Sequence, residues 1–169
     1  MLTRDIRLVA RLRAKPQTVY QALTSARELT RWWLLGAETA ARNAGRVRMI
    51  WPRVRGRDRL SQRLGEREGV FVDLEPGHKV AWLFKPARGE RGVPPLVSIF
   101  IGARGAGCEV TWLHGGFSSA ASADAPYRGY ARAWEDALAK LKLYLETGRT
   151  CKLEALDLEA ARILTRPRR

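Results

Sequence analysis

The sequence predicts an α+β domain in which an antiparallel sheet packs against one long helix. Two observations predict it. Short segments in which apolar and polar residues alternate recur along most of the chain, as is typical of half-buried strands. Residues 126–146 instead place apolar side chains every three or four positions, which indicates one face of a long amphipathic helix. A lone sheet exposes an apolar face, and this helix is the one predicted element long enough to cover it.

The chain begins with a predicted strand and two short helices. Residues 5–13 alternate cleanly between apolar and charged side chains. Pro16 suits the first turn of a helix that ends near residue 24. A second short helix is predicted at about 26–34, and residues 36–44 are predicted to form a loop.

About six further strands follow before the long helix. They are predicted at about 46–51, 57–64, 67–75, 80–84, 96–101 and 108–114. In one of them Val70, Val72 and Leu74 should share a face, with Asp73 and Glu75 on the opposite face toward solvent. In the last, every second side chain should face the core, and these are Cys108, Val110, Trp112 and His114. Residues 85–95 and 115–125 are predicted loops, and the glycine-rich residues 102–107 a hairpin connection.

Composition limits the class of protein. With 169 residues, 46% of them hydrophobic, the chain is sized for one folded domain. It has no apolar run of the ~18 residues that a membrane helix needs, and its N-terminus lacks the apolar stretch of a secretory signal. Two cysteines do not make a disulfide framework. We therefore expect a cytoplasmic protein without a membrane span.

Positive charge is concentrated in three regions. Lys and Arg number 31 against 17 Asp and Glu, and the net charge of +14 arises from residues 1–15, 42–68 and 162–169. A basic surface of this kind attracts phosphates and nucleic acid, but it is also compatible with a simple solvated face. The candidate basic surface consists of Arg46, Arg48, Arg53, Arg55, Arg57 and Arg59. Aromatic side chains that would stack on single-stranded bases are sparse there, so nucleic acid or an acidic protein is not the favoured partner.

Four segments resemble the START-like SRPBCC superfamily, and within it the family of homologues of the activator of the heat-shock-protein-90 ATPase. They are KPQTVYQALT at 15–24, LTRWW at 29–33, EGVFVDLEP at 68–76 followed by VAW at 80–82, and GCEVTWLHGGF at 107–117 followed by the Trp134 to Glu146 helix. The match covers roughly residues 4–149. The chain differs from the family in having Ala133 where glycine is usual and an arginine-rich stretch where a Gly-Gly turn is usual.

The resemblance implies the helix-grip (START/Bet v-like) fold, a curved antiparallel sheet of about seven strands around a C-terminal helix. Residues 1–149 would form this domain. Residues 150–169 would form an amphipathic extension with a basic tail. Within it, apolar residues at helical spacing predict a terminal helix before Pro167. A second copy of the chain is a candidate partner for this extension.

The favoured hypothesis is non-enzymatic binding of a small hydrophobic ligand between sheet and helix. Such sites are mostly apolar with a few polar groups, and large rings around one sheet are hard to pack without a void. The predicted lining is Trp82, Phe84, Phe100, Trp112, His114, Tyr130 and Trp134. The hypothesis requires a cavity larger than a water molecule.

Two alternatives remain from the sequence. One is a chaperone-associated or nucleic-acid-interacting adaptor that uses the basic surface. The other is a cyclase or hydrolase with His114 as acid or base, although a hydrogen-bonded core histidine is the more ordinary role. No residues show the spacing of a catalytic constellation or a metal site, so we expect no cofactor and no metal.

Overall fold

The fold is seen in a computed structural model that describes residues 2–53 and 64–168. Its elements, in chain order, are β1 (Thr3–Leu12), α1 (Pro16–Thr24), α2 (Ala26–Trp32), β2 (Gly36–Thr39), β3 (Arg46–Ile50), β4 (Glu66–Glu75), β5 (Lys79–Phe84), β6 (Leu96–Arg104), β7 (Gly107–Ser118), α3 (Asp124–Thr147) and α4 (Leu158–Leu164). A short 3₁₀ turn at Ala121–Ala123 leads into α3.

The strands of the described residues form one antiparallel sheet in the order β1-β7-β6-β5-β4-β3-β2. Successive strands are neighbours except for β1, which pairs with β7 from Thr3 opposite Ser118 to Leu12 opposite Cys108. The two short helices carry the chain from β1 at one edge of the sheet to β2 at the other. The predicted α+β helix-grip architecture is confirmed.

Helix α3 forms the second layer and ends where the sequence predicts. Its buried side includes Trp134, Ala137, Leu138 and Leu141, which follow the predicted spacing. Gly148 ends the helix with φ 73°, and its N–H donates to the Tyr144 carbonyl at 2.8 Å. A left-handed residue at this position is the usual way to close the last helical turn, and glycine adopts it without steric cost.

One strand was not predicted from the sequence. Gly36–Thr39 forms β2, an edge strand that pairs only with β3, where we predicted a loop. Four residues are too few to show an alternating pattern, and edge strands need no second partner. The strand predicted at 57–64 lies, but for its last residue, outside the described residues. The β6–β7 hairpin is tighter than predicted, since the strands extend to Arg104 and resume at Gly107.

The predicted inward face of β4 is wrong. Phe71 is fully buried while Val70 and Val72 are half-buried, so the residues facing the core are those between the predicted ones. The pairing with β5 shifts register between Val72 and Glu75, and Asp73 there has φ 54°. This bulge lets Leu74 pack against the core. An irregularity of one residue exchanges the two faces of a strand, which sequence alternation alone does not reveal.

The C-terminal extension packs on α3 of its own chain. Lys140, 2% exposed, donates from Nζ to Asp136 Oδ2 at 2.8 Å. The other oxygen of Asp136 accepts the Leu156 N–H at 2.8 Å. Ala161 of α4 is fully buried. The predicted terminal helix is present at Leu158–Leu164, and its association with a second copy remains a prediction.

Candidate ligand-binding site

All six tryptophans of the chain meet in one buried cluster between sheet and helices. Trp33, the residue that follows α2, lies at its centre. Its ring centroid is 5.2–6.2 Å from those of five others, namely Trp32, Trp51, Trp82, Trp112 and Trp134. Alternation along β5 and β7 turns Trp82 and Trp112 inward, and α3 supplies Trp134. Such ring separations are typical of favourable aromatic packing.

Three indole N–H groups in this cluster lack an acceptor among the described residues. They belong to Trp51, Trp82 and Trp112. By contrast, Trp32 donates to the Ala22 carbonyl at 3.0 Å, and Trp134 donates to His114 Nδ1 at 2.9 Å. A buried donor left without a partner destabilises the folded state by about 1–3 kcal/mol. The cluster therefore presents three donors for which the described residues supply no partner.

His114 is held as a neutral imidazole by two hydrogen bonds. Because Nδ1 accepts from Trp134, the proton is on Nε2, which donates to the Pro94 carbonyl at 2.7 Å. Burial lowers the pKa of His114 to about 4, against a smaller raising effect of the Pro94 contact. Both nitrogens are occupied and the ring is neutral at pH 7, so His114 has no free site for acid or base chemistry. His114 therefore has the geometry of a hydrogen-bonded core histidine, which is the more ordinary of the two roles considered from the sequence.

Beside the cluster lies a small cavity of about 20 Å³. That is room for a single water molecule. Four of the seven predicted lining residues border it, namely Phe84, His114, Tyr130 and Trp134. Trp82 and Trp112 belong to the buried cluster but not to this lining. The described residues around this cavity thus do not provide the larger void that the ligand hypothesis requires.

Phe100 does not face the helix, contrary to the prediction. It is 40% exposed and lies beneath the Lys79 ammonium, 5.1 Å from the ring centroid. Its neighbours Ile99 and Ile101 point into the core instead. In β6 both faces carry apolar residues, so alternation could not decide which set was buried.

A polar cluster that the sequence did not suggest borders the same cavity. Arg67 Nη2 lies 2.9 Å from Glu90 Oε2, and the Tyr130 hydroxyl donates to the same oxygen at 2.9 Å. Arg67 is only 8% exposed although charged. Burial raises the pKa of Tyr130, with Arg67 opposing the rise. These contacts join β4, the 85–95 loop and α3. An arginine within a predicted strand was the only signal, and the wrong face assignment concealed it.

Replacing Glu90 with glutamine should loosen this wall of the cavity. The variant removes the carboxylate that Glu90 supplies to buried Arg67 and to Tyr130, and we expect the free energy of unfolding to fall by roughly 2 kcal/mol. Acrylamide should then quench the tryptophan fluorescence more strongly than in the unmodified protein. Glu68→Gln, which removes a carboxylate from an exposed ion pair with Lys85, is the control. Equal stability and quenching in the two variants would contradict this role.

The predicted basic surface is interrupted by acidic residues where it is described. Arg48 lies 2.5 Å from Glu66 and 3.6 Å from Glu38, so its charge is shared with carboxylates on neighbouring strands. The hydrogen bond to Glu66 raises the pKa of Arg48 above the ordinary arginine value. Arg46 and Arg53 are exposed. The remaining predicted members, Arg55, Arg57 and Arg59, lie outside the described residues.

Residues 13–146 match the family of Activator of Hsp90 ATPase homolog 1-like proteins. The chain belongs to this family. The resemblance stated from the sequence is thereby confirmed over most of the domain. The match ends at residue 146, before the extension that carries α4. No curated protein matches the sequence.

Several solved structures have a fold similar to that of this member of the Hsp90-activator homologue family. The Aha1 dimer from Colwellia psychrerythraea has a TM-score of 0.64 at 19% identity, covering 86% of this chain and 98% of that chain. CalU16 from Micromonospora echinospora has a TM-score of 0.63 at 18% sequence identity, covering 86% of this chain and 78% of that chain. An AHSA1-like protein from Rhizobium etli has a TM-score of 0.57 at 25% identity, covering 85% of this chain and 82% of that chain. These similarities confirm the fold.

Within residues 2–53 and 64–168, no helix is both long and apolar enough to span a bilayer. In the same residues, no three side chains among His, Cys, Asp and Glu are grouped as metal ligands would be.

Proposed function

We propose that this family member binds a small, mostly apolar molecule that carries a hydrogen-bond acceptor, such as a carbonyl or ether oxygen. The observation that carries the proposal is the set of indole N–H groups of Trp51, Trp82 and Trp112, which have no acceptor among the described residues. Of the three, Trp51 lines the cavity, and the other two lie in the adjoining cluster. A ligand oxygen that accepted from any of them would remove an existing desolvation cost, which adds to its affinity. The aromatic rings around them favour an apolar or aromatic body.

The size of the cavity decides how such a ligand would enter. At about 20 Å³ the space takes one water, so a larger guest must move a wall. The 85–95 loop is held by Glu90, which accepts from Arg67 and Tyr130, and by the Pro94 carbonyl, which accepts from His114. These few polar contacts are the ones a guest would have to break, and its apolar burial would have to offset them.

Binding rather than catalysis is the activity proposed. His114, the candidate acid or base, has both nitrogens engaged and a pKa lowered to about 4. General acid–base catalysis near neutral pH needs a group with a free nitrogen and a pKa near 7. The adaptor alternative stays a prediction, and salt-sensitive binding to an acidic partner is its test.

A matched pair of ligands tests the proposal. Indanone and indane differ by one carbonyl oxygen, and both can be titrated while the six indole N–H signals are followed by nitrogen–proton correlation spectroscopy. We expect indanone to bind more tightly and to shift signals of Trp51, Trp82 or Trp112, while the Trp32 signal, already hydrogen-bonded, stays in place. Native mass spectrometry of protein purified from its own host should reveal a retained ligand. The proposal would be refuted if the native mass were that of the protein alone and if indanone and indane bound equally well.

A further inference from the structure

A second and larger concave region shares no lining residue with the first. It has a volume of about 640 Å³, within the range typical of small-molecule sites. Its walls come from the end of β1, the β6–β7 turn, the last turns of α3 and the tail from α4 to Pro167. Ala106 and Pro167 supply exposed apolar surface, and the buried side chains of Leu12 and Cys108 also border the groove. Burial raises the pKa of the Cys108 thiol, so it is a neutral group there.

Positive charge predominates around this groove. Six cationic side chains line it, namely Arg11, Arg13, Arg104, Lys142, Arg162 and Arg166. Among the described residues, the single lining carboxylate is Glu146, whose side chain is 1% exposed. It is already held by Arg13 at 2.8 Å and Lys142 at 2.5 Å.

Several of these cationic side chains can still form ion pairs with a bound ligand. Glu109 neighbours the groove and pairs with Arg104 at 2.7 Å, but it lies 3.9 Å from Arg11. Arg162 and Arg166 are exposed and form no ion pair with any described residue. The groove therefore has a surplus of guanidinium groups facing a space that no acidic side chain of the described chain fills.

We propose that this groove binds a small organic anion with two or more phosphate groups, of the size of a nucleotide. Guanidinium groups hold phosphate oxygens in paired, charge-assisted hydrogen bonds. Several such groups around one concavity suit a ligand of high charge density better than a single carboxylate. The volume suits a compact ligand with an apolar or heterocyclic part lying against the exposed Ala106 and Pro167.

The tail that forms one wall is fixed in place by the domain. Arg13 donates to the Thr165 carbonyl, and Arg149 donates to the Leu164 carbonyl at 2.7 Å. Thr165 is 5% exposed, and its hydroxyl donates to the Ala161 carbonyl at 2.8 Å. The family match ends at residue 146, so Arg162 and Arg166 lie outside it. The proposed site thus depends on residues beyond the matched family region.

The test uses tripolyphosphate and ATP, with adenosine as the uncharged comparison, in isothermal titration calorimetry of the whole chain. We expect saturable binding of both phosphates and none of adenosine. The double variant Arg162→Gln, Arg166→Gln should weaken binding by about tenfold or more, because it removes two charged hydrogen-bond donors from the groove. Both side chains are exposed, so circular dichroism should show an unchanged fold.

The double variant Arg88→Gln, Arg91→Gln is the charge-matched control. Both residues are exposed in the 85–95 loop and neither lines the groove. Equal loss of affinity in the two double variants would reduce the binding to general surface charge and overturn the proposal. Absence of saturable phosphate binding would overturn it as well. Tight binding of a single-stranded oligonucleotide without binding of tripolyphosphate would replace the small-anion site with a nucleic-acid surface.

Discussion

Replacing Trp33 with alanine should destabilise the protein by about 3–5 kcal/mol, the usual range for deleting a large buried aromatic side chain. Trp33 is 2% exposed and its ring contacts five other tryptophans. The loss is comparable with the whole stability of many domains, which is about 5–15 kcal/mol. Urea unfolding followed by circular dichroism measures it.

The neighbouring substitution Leu35→Ala serves as the control. Leu35 is 65% exposed, and surface changes of this kind are usually within about 0.5 kcal/mol. The Trp33→Ala cavity should also bind indole, so added indole should raise the melting temperature of the variant but not of the parent protein. If the two alanine variants were equally stable, Trp33 would not be the centre of the core.

The second large effect is a loss of stability in mild acid that originates at His114. Its pKa is about 4 in the folded protein against 6.5 for an ordinary histidine. Between these values the unfolded chain takes up a proton that the folded chain does not. Stability therefore falls as the pH is lowered from 6.5 to 4, and this group contributes nothing to the change above 6.5. The loss from this one residue amounts to roughly 3 kcal/mol.

His114→Gln isolates that contribution. The glutamine amide is neutral throughout, while the carboxylates that also titrate in acid are common to both proteins. We expect the parent protein to be the more stable at neutral pH, with the difference in free energy of unfolding shrinking by roughly 3 kcal/mol as the pH falls to 4. A difference that stays constant with pH would mean that His114 is not buried as a neutral ring.

Where the sequence carried a long regular pattern, the fold could be predicted. The spacing from Tyr130 to Leu141 predicted α3, and alternation from Cys108 to His114 predicted the inward face of β7. These predictions were correct because one whole face of each element is buried, so its apolar residues recur at a regular spacing. The family resemblance, carried by motifs such as Trp32-Trp33, implied a curved antiparallel sheet of about seven strands around the C-terminal helix, and the structure confirms it.

What the sequence could not predict depends on local irregularities and on distant contacts. Because the bulge at Asp73 exchanges the two faces of β4, Phe71 and Arg67 face the core, although regular alternation with Leu74 places them on the opposite face. Glu90 lies in a loop without a pattern, and its contacts with Arg67 and Tyr130 join residues far apart in the chain. The assignment of Phe100 to the core was wrong because β6 is apolar on both faces.

The central claim is that Trp112, like Trp51 and Trp82, keeps a buried indole N–H with no acceptor among residues 2–53 and 64–168. Trp112→Phe and Trp32→Phe test it most directly, because both tryptophans are fully buried and both variants lose the same ring atoms. Only Trp32 also loses a hydrogen bond, the one to Ala22. Chemical unfolding should show Trp32→Phe to be the more destabilising variant by about 1–3 kcal/mol. An equal or larger loss in Trp112→Phe would show that its N–H is already satisfied and would contradict the account.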